Sequence, residues 1–250
     1  MSVSPATQSY PQHSLGKSFL LHILPGILVT IAFLIFKPLL DSTGYPPLLA
    51  LLLSFLLLDI PFMVAVMLYE GKKMNGRFNL EGVVLYREKV SWKIFAWVFV
   101  VAFAVMYALL MLSAPIDSRI AESLSSWVPG WIFIDDAKLY EGYPKNTLVI
   151  VFTLHLLITG IILPWVEELY FRGYLLPRIS RYKIWAPLIG AFFFGMYHFW
   201  QLYGFIGVFL LGAGLGYVVW WKKDIRLSIS LHVFANALVR VFILVGVLAQ

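Results

Sequence analysis

The sequence predicts an all-α membrane protein, a polytopic bundle of about seven transmembrane helices, and three observations carry that reading. The 250-residue chain is 61% hydrophobic with a mean hydropathy of +0.85, well outside the range of soluble domains. Charged residues make up 13% of it, about half the ordinary globular share. Its apolar runs are continuous rather than alternating, which argues against a β-barrel. Several of them reach the roughly 20 residues that a helix needs to cross a ~30 Å hydrocarbon core.

The elements follow in order. Residues 1–18 form a polar tail rich in Ser, Pro and Gln, without a short apolar segment followed by a small-residue cleavage site. It therefore reads as a tail rather than a removable signal peptide, and the first apolar run serves as an anchor. That run is Phe19–Leu40, and Pro47–Tyr69 is the second. Lys72, Lys73, Arg77, Arg87, Lys89 and Lys93 then separate it from the third, Ile94–Ala114. The fourth is Thr147–Val166, with its helix continuing beyond. Arg178, Arg181 and Lys183 precede the fifth, Ile184–Tyr203, and the sixth, Gly204–Trp221, follows almost without a loop. Lys222, Lys223 and Arg226 lead into the seventh, Leu227–Ala249.

Basic residues thus concentrate in alternate loops. The first loop has only Asp41, and the third has Arg119, Lys138 and Lys145 against five acids. The positive-inside rule places the N-terminus and the basic loops in the cytoplasm and, with seven spans, the C-terminus outside. It also accounts for the net charge of +6 without a nucleic-acid partner, for which no basic helix or stacking platform speaks. The third loop, 115–146, carries Trp127, Trp131, Phe133 and Tyr140, rings that favour the headgroup level. Gly212 and Gly216 have the small-xxx-small spacing that lets two helices approach closely. No cysteine is present, so disulfides, thiolate nucleophiles and Cys-ligated zinc are excluded.

Against this hydrocarbon background the polar residues stand out, because an ionisable group inside a membrane is costly and functional by default. Glu167 and Glu168 are adjacent, with Arg172 four residues beyond Glu168. Glu168 and Arg172 share a helix face, acid first, which is the favourable order for a pair. Glu167 lies ~100° round the helix, free to work as a base near neutral pH. His198 follows an aromatic run, Phe194-Gly195-Met196-Tyr197. His232 and Asn236 project from one face and could donate to an oxyanion. Each element alone also reads as an interfacial charge cluster, a hydrogen-bonded core histidine or interhelical polar glue.

The three elements together resemble the motif set of the CPBP family, the intramembrane peptidases that include CAAX-processing endoproteases and bacteriocin-processing or immunity proteins. Its pattern EExxxR, FxxxH and HxxxN stands here as Glu167-Glu168-x-x-x-Arg172, Phe194-x-x-x-His198 and His232-x-x-x-Asn236. The resemblance makes 147–250 the catalytic membrane core and leaves 19–146 as N-terminal helices and loops. It implies a peptidase in which Glu167 and His198 activate water, His232 and Asn236 hold the oxyanion, and Glu168 and Arg172 support them. Whether zinc takes part stays open. Glu167, His198 and His232 could complete a zinc site, whereas the HExxH helix of soluble zinc proteases is missing; the reading leans to a metal-free glutamate protease. Expected partners are membrane lipid and a peptide or protein substrate, prenylated or bacteriocin-like. The rivals are a non-catalytic immunity or scaffold protein and a transporter, the latter suggested by Asp59 and Arg240 inside spans. Arg240 either pairs with Asp59, snorkels outward or extends the cavity from His232 and Asn236.

Depth arithmetic completes the reading. His198, fourteen residues beyond Ile184, lies ~21 Å along its helix, and His232 only ~8 Å along its own. Glu167 reaches a similar depth only if the fourth helix runs on to about Leu176, stopped by Pro177. The expected site is a cavity open toward the cytoplasm.

Overall fold

The computed structural model describes residues 11–134 and 137–249, and residues 1–10 of the expected tail lie outside them. Among the described residues six helical stretches are long and apolar enough to cross a membrane. One of them, Lys145–Tyr197, has 53 residues and would be ~80 Å long if straight. It is a hairpin. Its turn is the tight segment Leu176–Trp185, broken at Lys183 with φ 51°, and beyond it Phe194 and Tyr197 return to Phe171, both with rings 5.0 Å away. Among the described residues the helices therefore make seven passes: α1 (Leu15–Asp41), α2 (Pro47–Asn75), α3 (Trp92–Leu124), α4 (145–175), α5 (Ala186–Tyr197), α6 (Phe205–Lys222) and α7 (Ile225–Ala249).

Three differences from the sequence expectation position the site. First, α3 runs ten residues past Ala114 with Pro115 inside it, so the expected third loop begins only after Leu124. Asp117, in that extension, accepts from the backbone N–H groups of Ile206 and Gly207 at 3.0 and 2.9 Å. It satisfies the first turn of α6, whose own N-cap residue Gly204 has no side chain to do so. Second, α5 has only 12 residues, ~18 Å, and it ends at Tyr197, just before His198, rather than at Tyr203. A short irregular stretch, Phe199–Gly204, hands the chain to α6. Third, α1 begins at Leu15, capped by the Ser14 hydroxyl accepting from Lys17 N–H at 3.1 Å.

Prolines shape the helices that matter. In three places the residue before a proline bonds back five residues instead of four: Ile60 to Phe55, Leu163 to Ile158 and Leu176 to Phe171. A proline removes an N–H and crowds the carbonyl four residues back. The helix absorbs this as a wide turn, a distortion frequent at functional sites. These wide turns flank Asp59, Glu167 and Arg172.

The two ends of the bundle differ. At the basic end the loop 76–91 is strapped under the helices. Leu85 N–H donates to Gly173 O at 2.9 Å, Ile225 N–H to Tyr86 O at 2.8 Å and Glu88 N–H to Lys223 O at 2.9 Å. Asp224 accepts from Val90 N–H at 3.0 Å. Arg178, which the sequence offers as a cytoplasmic charge, is fully buried and donates to Val83 O and Tyr174 O. At the opposite end Trp131 packs on Phe33, Phe133 on Tyr203 and Tyr140 on Phe152, with ring centroids 5.3, 5.1 and 4.9 Å apart. These aromatics close over helix ends, while Trp127 stays 85% exposed. Gly212 and Gly216 let α6 lie on α5: a Cβ at Gly216 would sit 3.3 Å from Pro187, and one at Gly212 3.0 Å from Phe194.

Candidate functional site

Glu167 and Glu168 lie in α4 just beyond the wide turn before Pro164, and neither is more than 3% exposed. Their roles separate by what they touch. Glu168 Oε1 accepts from Arg172 Nη1 at 2.9 Å and from His232 Nδ1 at 2.8 Å. Arg172 in turn donates Nη2 to Gly212 O at 3.2 Å and stacks over the Phe194 ring, 4.1 Å from its centroid. The expected i,i+4 pair is therefore present, and it ties α4 to α6, α5 and α7 at once. In a site of low dielectric such charge-assisted bonds are strong, and an unmade one is costly.

Glu167 points the other way, into a cavity of about 360 Å³ that His198, His232 and Asn236 also line. His198 Nδ1 donates to Phe194 O at 2.8 Å, since a carbonyl only accepts; Nε2 is left for other work. Phe194, Tyr197 and Trp200 surround its ring at 4.7, 4.8 and 5.0 Å. His232 Nε2 lies 3.8 Å from Glu167 Oε2. Because its Nδ1–H goes to Glu168, a neutral His232 presents a lone pair at Nε2. In that tautomer it donates there only as an imidazolium. Asn236 follows one turn along the same cavity wall.

The depths agree. Counted from the basic ends of their helices, Glu167, His198 and His232 stand eight, twelve and seven residues in, ~10–18 Å. The agreement rests on α4 running to Leu175 before Pro177, as the depth arithmetic requires. The cavity extends toward the aromatic end of the bundle. Its wall continues through Asp117, Ile134, Gln201, Gly204 and Arg240, all toward the aromatic end, whereas the basic end is plugged by Arg178 and the strapped loop. If the basic loops are cytoplasmic, as the positive-inside rule expects, the cavity faces the outside, because α5 is too short to fill the aromatic half of the bundle. The chain lacks native cysteine, so a single Gln201→Cys variant tests this: a membrane-impermeant maleimide should label it from outside in intact cells. Labelling only after permeabilisation would reverse the orientation.

Sequence reasoning left Asp59 beside Arg240. In the structure Asp59, in α2, is fully buried and its Oδ2 accepts the Tyr197 hydroxyl, while Arg240 continues the cavity wall near His155. Tyr197 had no role in the sequence reading; the only signal was its place beside His198. Among the described residues no three His, Asp or Glu side chains converge to hold an ion.

Residues 149–238 match the family described as type II CAAX prenyl endopeptidase, Rce1-like. The matched segment contains every motif residue from Glu167 to Asn236 and stops short of α1, α2 and α3. No curated protein and no solved structure matches the chain. Over residues 149–238 the chain is thus similar to this family of CAAX endopeptidases, which supports the resemblance to the CPBP intramembrane peptidases.

Proposed function

We propose that this protein is an intramembrane endopeptidase that hydrolyses a peptide bond in the cavity, with Glu167 as the base. One observation carries the reading: Glu168 Oε1 is engaged by both Arg172 and His232, while Glu167 lines one cavity with His198, His232 and Asn236. Glu167 takes a proton from a water molecule as that water attacks the scissile carbonyl. The bare Nε2 of His198 accepts the second hydrogen of the same water and fixes its lone pair toward the carbonyl. His232, as an imidazolium held by Glu168, donates Nε2–H to the developing oxyanion, and the Asn236 amide donates beside it. Glu167 then delivers its proton to the departing amine. The logic by which a buried carboxylate orients and stabilises an imidazolium is that of acid–His pairs in other hydrolases.

The family match favours a lipid-modified peptide as substrate, and the mostly apolar cavity wall suits one that arrives from the bilayer. A farnesylated peptide ending in a CAAX sequence, presented in proteoliposomes with the purified protein, is the direct assay. Cleavage by wild type and none by Glu167→Gln is the expected result. A Glu167→Gln protein that retains full function in the host would favour a scaffold instead. Asn236→Ala should lower turnover about 10²–10³-fold, the usual cost of one oxyanion donor, with little change in KM. An increase in KM at unchanged turnover would make Asn236 a substrate-binding residue.

A further inference from the structure

Asp59 is a carboxylic acid placed deep in the bundle, on a helix outside the matched segment, and the mechanism above does not use it. It sits at the end of the wide turn Phe55–Asp59, where Pro61 forces Ile60 N–H to bond to Phe55 O. Neither Asp59 nor Tyr197 exposes any surface. The Tyr197 hydroxyl donates to Asp59 Oδ2, and the Glu167 carboxyl lies near the same phenol. Its ring is gripped by Phe171, Phe194 and Trp200, with centroids 5.0, 5.9 and 5.0 Å away. A Cβ at Gly26 of α1 would sit 2.0 Å from Tyr197 O, so α1 presses its backbone on the same residue. The phenol is held by this packing, with one acid on its oxygen and a second close by.

We propose that Asp59 is a positioning residue for catalysis: it holds the Tyr197 hydroxyl, which in turn holds one oxygen of Glu167 so that the other faces the cavity. The inference rests on Glu167 being the base. A phenol has one proton and accepts others. When an ionised Glu167 takes that proton, the group at position 59 must donate to the phenol oxygen. Protonated aspartate does this, an asparagine amide can do it, and leucine cannot. A base displaced by even an ångström loses much of its advantage, so the chain Asp59–Tyr197–Glu167 should appear in turnover and not in substrate affinity.

The experiment compares Asp59→Asn, Asp59→Leu, Tyr197→Phe and the Asp59→Leu/Tyr197→Phe double variant on the farnesylated peptide in proteoliposomes, beside Glu167→Gln. Asp59→Leu and Tyr197→Phe should each lower kcat about 10–100-fold, the usual range for supporting partners of a catalytic group, with KM unchanged. Asp59→Asn should restore most of the loss, and the double variant should be no worse than Tyr197→Phe. Tyr197→Phe keeps the ring packing and serves if Asp59→Leu fails to accumulate. A second arm needs no substrate: Glu167 labelling by dicyclohexylcarbodiimide, read by peptide mass spectrometry, should accelerate in Asp59→Leu and Tyr197→Phe but not in Asp59→Asn. Wild-type kcat in Asp59→Leu with Glu167→Gln inactive would overturn this inference alone. So would an Asp59→Asn protein as impaired as the leucine variant, or unchanged Glu167 labelling. Full activity in Glu167→Gln would instead overturn the proposed base, and the labelling arm would still decide the positioning.

Discussion

Glu167→Gln protein should accumulate in the membrane like the wild type and cleave no measurable substrate. The substitution preserves shape and leaves the Glu168–Arg172–His232 cluster intact, so nothing that holds α4 to α6 and α7 is lost. A positioned general base contributes about 10²–10⁴ in rate. The remaining carboxylate, Glu168, already serves Arg172 and His232 and cannot turn toward the cavity without breaking both bonds. Single-turnover cleavage in proteoliposomes, with quantitative blotting of the same membranes, is the measurement. Activity within tenfold of wild type at normal abundance would remove Glu167 from the chemistry.

Glu168→Gln should fail differently, losing protein as well as activity. Arg172 is about 3% exposed, and without its carboxylate it becomes a buried charge with only the Gly212 carbonyl to face. Removing one partner of a buried pair costs about 3–5 kcal/mol, a large fraction of the stability of a typical domain. His232 would at the same time lose the acceptor that orients its ring and supports its imidazolium. The expected result is a lower unfolding temperature in detergent, reduced abundance and residual turnover well below wild type. Equal effects of the two glutamine variants on both abundance and activity would refute the division of labour between these neighbours.

Much of this site was legible because its chemistry is rare in its surroundings. Glu167, Glu168, Arg172, His198, His232 and Asn236 are polar residues at helical spacing in hydrocarbon-like sequence, and the structure gathers all six. What remained hidden depends on contacts between distant segments. Asp59 and Tyr197 lie 138 positions apart, and a tyrosine in an aromatic run carries no signal of its own. Pro61, Pro164 and Pro177 are visible in the sequence, yet their wide turns emerge only from following each N–H to its acceptor. Depth counted along single helices carried no information on which end of the bundle the cavity reaches. That count assumes each helix spans the bilayer, and α5 does not. Residues 115–124 looked like loop for their proline and polar content. They stay helical in the structure, where Asp117 reaches across to the backbone of α6.

The shortness of α5 has an electrical consequence. If the aromatic end faces the outer solution, a vestibule that reaches down to Glu167 also brings the outer potential with it. The membrane voltage then falls mainly across the thin plug between Glu167 and the basic loops. A proton exchanged between Glu167 and the vestibule crosses almost none of that field. One exchanged with the cytoplasm would cross nearly all of it, about 2.3 kcal/mol per 100 mV. Hydrolysis at this site should therefore follow the acidity of the outer solution and be indifferent to the energised state of the membrane.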